Sequence, residues 1–143
     1  MSDESLRLLS LVERAATQRL DDALRAVGSD IDQWRILSLL AQRGGCAMTA
    51  IAEHALLLAP KLSKVVDRMV SANLVLRRVD EHDRRRVLAF ATARGREALV
   101  EWDAAAAVVQ ERFREVLGPD TAALDDLLRR LSHGLRASDA PTG

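Results

Sequence analysis

Between Arg77 and Thr92 the sequence reads RRVDEHDRRRVLAFAT, in which five arginines, three acids and a histidine are set between two short apolar runs. A guanidinium is a permanent cation with its donors in a planar fork, so clustered arginines suit phosphate or carboxylate recognition better than proton transfer. Just upstream, PKLSKVVDRMVSANL adds Lys61, Lys64 and Arg68. Residues 61–96 hold ten Lys/Arg against four Asp/Glu, a balance of +6, while 1–60 and 97–143 carry −2 and −4. A formal net charge of zero therefore hides a basic middle segment, and a polyanion responds to that local field. The plain alternative is a solvated hairpin tip whose charges pair locally, with Lys61 and Lys64 as ordinary exposed lysines. The helix-forming stretch ahead of the tip favours nucleic acid.

Side chains of this kind need a scaffold, and the apolar spacing predicts a helical one. Leu6, Leu9, Val12, Ala16, Leu20, Leu24 and Val27 recur at three- and four-residue steps, so the first 27 residues read as one amphipathic helix ended by Gly28. Asp30 and Gln33 have capping-box spacing ahead of a second helix that runs to Gln42. Thr49 is placed to cap a short third helix, AIAEHAL, and Pro60 suits the first turn of a fourth. On that fourth helix Leu62, Val65, Val66, Met69 and Val70 share a face, leaving Lys61, Ser63, Lys64, Asp67 and Arg68 outward. Asp67 is expected to orient Arg68 or a neighbour.

LVLRRV and RVLAFA are β-prone runs that predict a two-stranded hairpin with a charged tip. Thr92 can cap a fifth helix, in which Leu99, Trp102, Ala106, Val109, Phe113 and Val116 alternate three- and four-residue steps, a seam suited to helix pairing. Gly118 and Pro119 end it, and Leu124, Leu127, Leu128, Leu131 and Leu135 predict a sixth helix before a frayed tail. The fold class is mainly α, six helices with a small β-hairpin.

The sequence lacks GxGxxG, P-loop, GxSxG and HExxH patterns, and His54, His82 and His133 have no metal-ligand spacing, so no enzyme activity, cofactor or metal is expected. The lone Cys46 cannot form an internal disulfide, in keeping with a reducing compartment. Its neighbours Arg43, Gly44 and Gly45 offer one charge and no clear base, which leaves an inert small residue or an oxidant-sensing thiol. No run approaches the roughly 18 apolar residues that span a bilayer, and the N-terminus has no basic-then-apolar leader, so a cytoplasmic protein without a membrane partner is expected.

A short helix, a turn, a second helix with a basic face and a hairpin with an arginine-rich tip make a winged helix-turn-helix. In that arrangement Ser63, Lys64 and Arg68 reach base edges in the major groove, and N–H groups around Lys61 meet a phosphate. An arginine of the tip, from Arg84, Arg85 and Arg86, enters the neighbouring minor groove. In sequence, DIDQWRILSLLA, LAPKLSKVVDRMVSANLVLRR and DEHDRRRVLAFATARGREAL resemble the second helix, the recognition helix with first wing strand, and the wing motif of the MarR family of bacterial transcription regulators. The resemblance covers about residues 29 to 100. Its most specific part combines an Asp, a second Asp three residues on, an Arg two after that, and a Thr-x-x-Gly helix start. QWRIL together with LLLAPKLSKVVDRM looks most like regulators of aromatic-acid catabolism, such as the homoprotocatechuate type.

The resemblance implies a single domain over 1–143, with a DNA-binding lobe at 29–96, a helical dimerisation region at 1–28 and 97–137, and a tail at 138–143. It implies that Asp80 opens the wing turn and that Asp83 braces it by pairing with an arginine, Arg85 being the one so held or the one inserted near the minor groove. Where the family often has Arg and Gly, this chain has His82 and Asn73, and Asn is the next best residue for a left-handed helix end. The family's effector pocket, between the first, second and fifth helices, makes Arg14, Arg19 and Arg35 candidates for a carboxylate. For each arginine a surface or interhelix salt bridge is the slightly favoured alternative, and for Trp34, the fourth candidate, a core position is favoured over a ligand contact.

The function expected is a ligand-responsive repressor that binds a pseudo-palindromic operator in duplex DNA as a homodimer. A small aromatic carboxylate or its acyl-CoA thioester would release it. The alternatives are an oxidant-sensing regulator acting through Cys46, and a helical dimer or adaptor that has the wing fold without binding DNA.

Overall fold

The computed structural model describes residues 1–139, and it contains six α-helices and one small antiparallel sheet. Helix α1 (Asp3–Arg25) starts at Ser2, whose hydroxyl accepts from the Ser5 N–H at 3.1 Å. It ends two residues before the predicted Val27, and Gly28 follows at φ +80°. Helix α2 (Ile31–Arg43) is capped by Asp30, which accepts from the Gln33 N–H at 2.9 Å. The Gln33 amide closes the box on the Asp30 carboxylate at 3.1 Å rather than on its backbone. Asp21 joins the two helices, accepting from Arg25 Nε at 2.7 Å and from the Ile31 N–H at 3.1 Å. The Arg25 hydrogen bond holds its carboxyl below the usual range, assisted by Ile31 and opposed by partial desolvation.

A strand the sequence does not announce follows. Cys46–Ala47 (β1) pairs with the second wing strand, so the predicted two-stranded hairpin is a three-stranded sheet in the order β1-β3-β2, with β2 at Val75–Val79 and β3 at Val87–Ala91. Cys46 sits opposite Ala89, and Arg77 sits opposite Ala89 from the other side. Two residues beside a Gly-Gly pair carry no alternation to read, which is why β1 is invisible in sequence. Helix α3 (Met48–Ala55) begins earlier than expected: its N-cap is Ala47 and no side chain caps it, so Thr49 lies inside the first turn instead.

Helix α4 (Ala59–Ser71) buries Leu62, Val65, Val66 and Met69 against Leu37, Leu40, Ile51 and Val75 in the same core. Each such fully buried side chain contributes about 1.5–3 kcal/mol relative to exposure. Helix α5 (Ala93–Leu117) adds Leu99 and Trp102 to this core, and α6 (Thr121–Asp139) follows a short 3₁₀ turn at Gly118–Asp120. The predicted tail at 138–143 is helical at 138–139, and its remainder, 140–143, lies outside the described residues.

The Thr-x-x-Gly start of α5 is the joint that ties the wing to the helices. Thr92 Oγ1 accepts from the Gly95 N–H at 2.9 Å and donates to the Asn73 carbonyl at 2.6 Å, while its own N–H reaches Leu74 O at 3.1 Å. Asn73 takes the left-handed conformation expected of it, at φ +62°. Gly95 is buried against the Leu74 carbonyl, where an added Cβ would overlap the oxygen.

The chain divides into two compact units, one over Met1–Val109 and a second beginning at Gln110. The first holds the whole core. In the second, α6 has no buried residue, and Leu127, Leu128, Leu131 and Leu135 are exposed. Among the described residues no helix is long and apolar enough to cross a membrane.

Candidate nucleic-acid interface

Burial of Leu62, Val65, Val66 and Met69 turns the opposite face of α4 outward, and 3.6-residue periodicity then dictates what that face shows. Lys61, Ser63, Lys64, Asp67 and Arg68 are all exposed. Lys61 reaches across to Asp32 of α2 at 3.6 Å, so part of its charge is already answered. Lys64 and Arg68 have no ion-pair or hydrogen-bond partner for their side chains among the described residues. Asp67 does not orient Arg68; it pairs with Arg77 of β2, an ion pair between the helix and the wing that leaves Arg68 free. Two opposite charges ten residues apart, one on a helix and one on a strand, carry no local signal from which the pairing could be read.

The wing tip is built by its own acids. The Asp80 carboxylate accepts from the His82 N–H at 2.9 Å, and the Asp83 carboxylate accepts from the Arg85 N–H at 3.1 Å. Asp side chains bond their own backbone two residues on in this way and so shape turns. The turn is closed by Asp80 N–H to Arg86 O and by Arg86 N–H to Asp83 O, both 2.9 Å. Asp83 also takes Arg85 Nε at 3.3 Å, although the Arg85 side chain remains 92% exposed. Arg84 and Arg86 are exposed, with no side-chain partner among the described residues. Arg78 lies over the Phe90 ring, 5.8 Å from its centroid. Of the arginines from 77 to 86, two are therefore committed to the fold, one is held at the tip, and two project freely.

The four candidates for effector binding lie in different settings. A surface groove is lined by Leu11, Glu13, Arg14, Ala15, Thr17 and Gln18, so it includes Arg14 and none of Arg19, Trp34 and Arg35. Arg19 is exposed and Arg35 half-buried. Trp34 is half-buried, and its indole N–H donates to Asp103 Oδ1 of α5 at 2.8 Å. Sequence reading missed Asp103 because it lies 69 residues away. It also missed Ser38, four residues after Trp34, whose hydroxyl is buried without a hydrogen-bond partner among the described residues.

Cys46 is 6% exposed, and its thiol donates to Gly44 O at 3.6 Å. That burial denies an oxidant ready access to the sulfur. Partial burial, followed by the charges of Arg43 and Arg35, holds the pKa of His54 below its usual value.

The model of the MarR family matches residues 31–87. The HTH-type transcriptional regulator FarR of Neisseria gonorrhoeae is 34% identical over 101 residues, covering 70% of this chain and 69% of its own. Among solved structures, AbsC, a MarR family transcriptional regulator from Streptomyces coelicolor, superposes with a TM-score of 0.84 at 28% identity, over 96% of this chain and 97% of that one. NadR in complex with 4-hydroxyphenylacetate superposes with a TM-score of 0.77 at 29% identity, over 92% and 93%.

Proposed function

The chain belongs to the MarR family of transcriptional regulators, and from that premise we propose that it is a ligand-responsive repressor that binds duplex DNA as a homodimer. The observation that carries the reading is the sorting of cations on the winged lobe, residues 29–96. Lys61, Arg77 and Arg85 are paired with Asp32, Asp67 and Asp83. Lys64 and Arg68 on α4, and Arg84 and Arg86 on the wing, are exposed without partners among the described residues. Helix and hairpin thus each present two unanswered charges, as a duplex with adjacent major and minor grooves requires.

Dimerisation is supported by apolar surface that the single chain leaves uncovered. Leu6, Leu9 and Val12 on α1, and Leu127, Leu128, Leu131 and Leu135 on α6, are all more than 40% exposed. An amphipathic helix with nothing buried gains little from its own sequence and is held by packing against a partner. The helical regions 1–28 and 97–137 would supply that packing. A symmetric dimer places two recognition helices about 34–36 Å apart, which predicts a pseudo-palindromic operator.

Binding as a function of salt tests the DNA reading. If the four free cations of α4 and the wing tip each meet a phosphate, a dimer makes eight such contacts, and log K should fall against log salt with a slope of about −7. A flat slope would mean an adaptor that has the wing without the function.

The effector we propose is an aromatic carboxylate or its acyl-CoA thioester. The 4-hydroxyphenylacetate held by NadR, a relative at 29% identity, supports that class, and Arg14, Arg19 and Arg35 with Trp34 are the residues we propose to meet it. The unpartnered Ser38 hydroxyl would give such a ligand a buried polar contact. Ligand at about a hundredfold excess over Kd stabilises the folded state by about 2.7 kcal/mol, an increase in melting temperature of roughly 5–10 °C. If no member of an aromatic-acid panel moves the melting curve, the effector class is wrong. Release from DNA requires that the ligand bind the non-DNA conformation more tightly.

A further inference from the structure

The turn between α3 and α4 holds two leucines where backbone chemistry favours other residues. Leu56 ends α3 in the left-handed region, at φ +59° and ψ +41°, a conformation that glycine or asparagine adopts at lower cost. Leu58 is the N-cap of α4, where Ser, Thr, Asp or Asn would bond the free N–H groups, and its side chain makes no capping bond. Leu57, between them, packs on the core, whereas Leu56 and Leu58 are 73% and 82% exposed. Neither burial nor capping accounts for a leucine at either position.

Their location does. A recognition helix presents its N-terminal residues to base edges, and the exposed Lys61 and Lys64 follow within the first two turns. The base-edge groups of the major groove are hydrogen-bond donors and acceptors with one apolar exception, the C5-methyl of thymine. We infer that Leu58, supported by Leu56, reads a thymine methyl in each half-site, which gives the operator a required thymine opposite the start of α4. This rests on the DNA-binding reading above. Two leucines in a basic, polar setting cover far less than the roughly 800 Å² per partner of a stable protein interface, which favours a base over a protein as the occupant.

The test uses the full chain and a duplex recovered by repeated selection from a random-sequence pool. Each symmetry-related pair of thymines is replaced in turn by uracil, which removes the methyl groups alone. One pair should be sensitive, with binding weakened about fifteenfold, two methyls at about fourfold each. Leu58→Ala should bind the thymine duplex correspondingly more weakly and be indifferent to the same replacement, while Leu58→Met should keep the preference for thymine. An unchanged melting curve for Leu58→Ala shows that the loss is not unfolding. A tightly bound duplex with no uracil-sensitive thymine, or wild-type sensitivity in Leu58→Ala, overturns the inference and leaves DNA binding standing. Failure to select any duplex overturns both. If Leu58→Ala changes the sedimentation of the free protein, a second copy covers these leucines and the inference falls.

Discussion

Gly95→Ala is expected to destabilise the winged lobe by about 3 kcal/mol and to lower the melting temperature by roughly 10 °C. The cause is a collision with backbone. A Cβ at this position would overlap the Leu74 carbonyl oxygen and press on Leu37. The carbonyl cannot move away freely, because it accepts the Thr92 N–H that joins β2 to the start of α5. Thr92 in turn bonds both Gly95 N and Asn73 O, so yielding at one point loosens the cap of α5 and the left-handed end of α4 together. Helix propensity alone points the other way, since Ala is favoured over Gly within a helix by about 1 kcal/mol. Thermal melting of the variant decides between the two effects. An unchanged or raised melting temperature would show that the wing joint relaxes and that the close approach is not required.

Replacing Lys64 and Arg68 together by Ala is expected to weaken operator binding about a thousandfold at moderate salt without altering the fold. Both side chains are exposed and unpartnered among the described residues, so their removal costs the free protein little. In a dimer four charged contacts are lost, at about 1 kcal/mol each, and the salt slope should fall from about −7 to about −4. Slope and affinity must change together. A thousandfold loss at an unchanged slope would mean that the two residues contact bases rather than phosphates, and no loss would place the interface elsewhere. Asp67→Ala is the informative control: it releases Arg77 from its ion pair, so a weaker complex in this variant reports the aim of the wing rather than missing charge.

The sequence was most legible where structure is local. Asp30 and Thr92 cap α2 and α5 because a cap acts over three residues. The apolar face of α4 follows from its periodicity, and with it the outward placement of Lys64 and Arg68. Asn73 adopts its left-handed turn because that preference belongs to the residue itself. The acids of the wing bend their own backbone within two residues, so the tip could be recognised from its letters.

What only the tertiary structure decided is which charges remain free, and the reason is that pairing depends on proximity between segments distant in sequence. Ten cations between residues 61 and 96 look equivalent on a line. Folding assigns Lys61 to Asp32, Arg77 to Asp67 and Arg78 to the Phe90 ring. Folding likewise makes a strand of Cys46–Ala47 by laying it against β3, ties Trp34 to Asp103, and leaves the Ser38 hydroxyl without a partner. Amino-acid types set the total of basic charge. Only the packing of α2, α4 and the sheet against one another selects the part of it that is left to meet a polyanion.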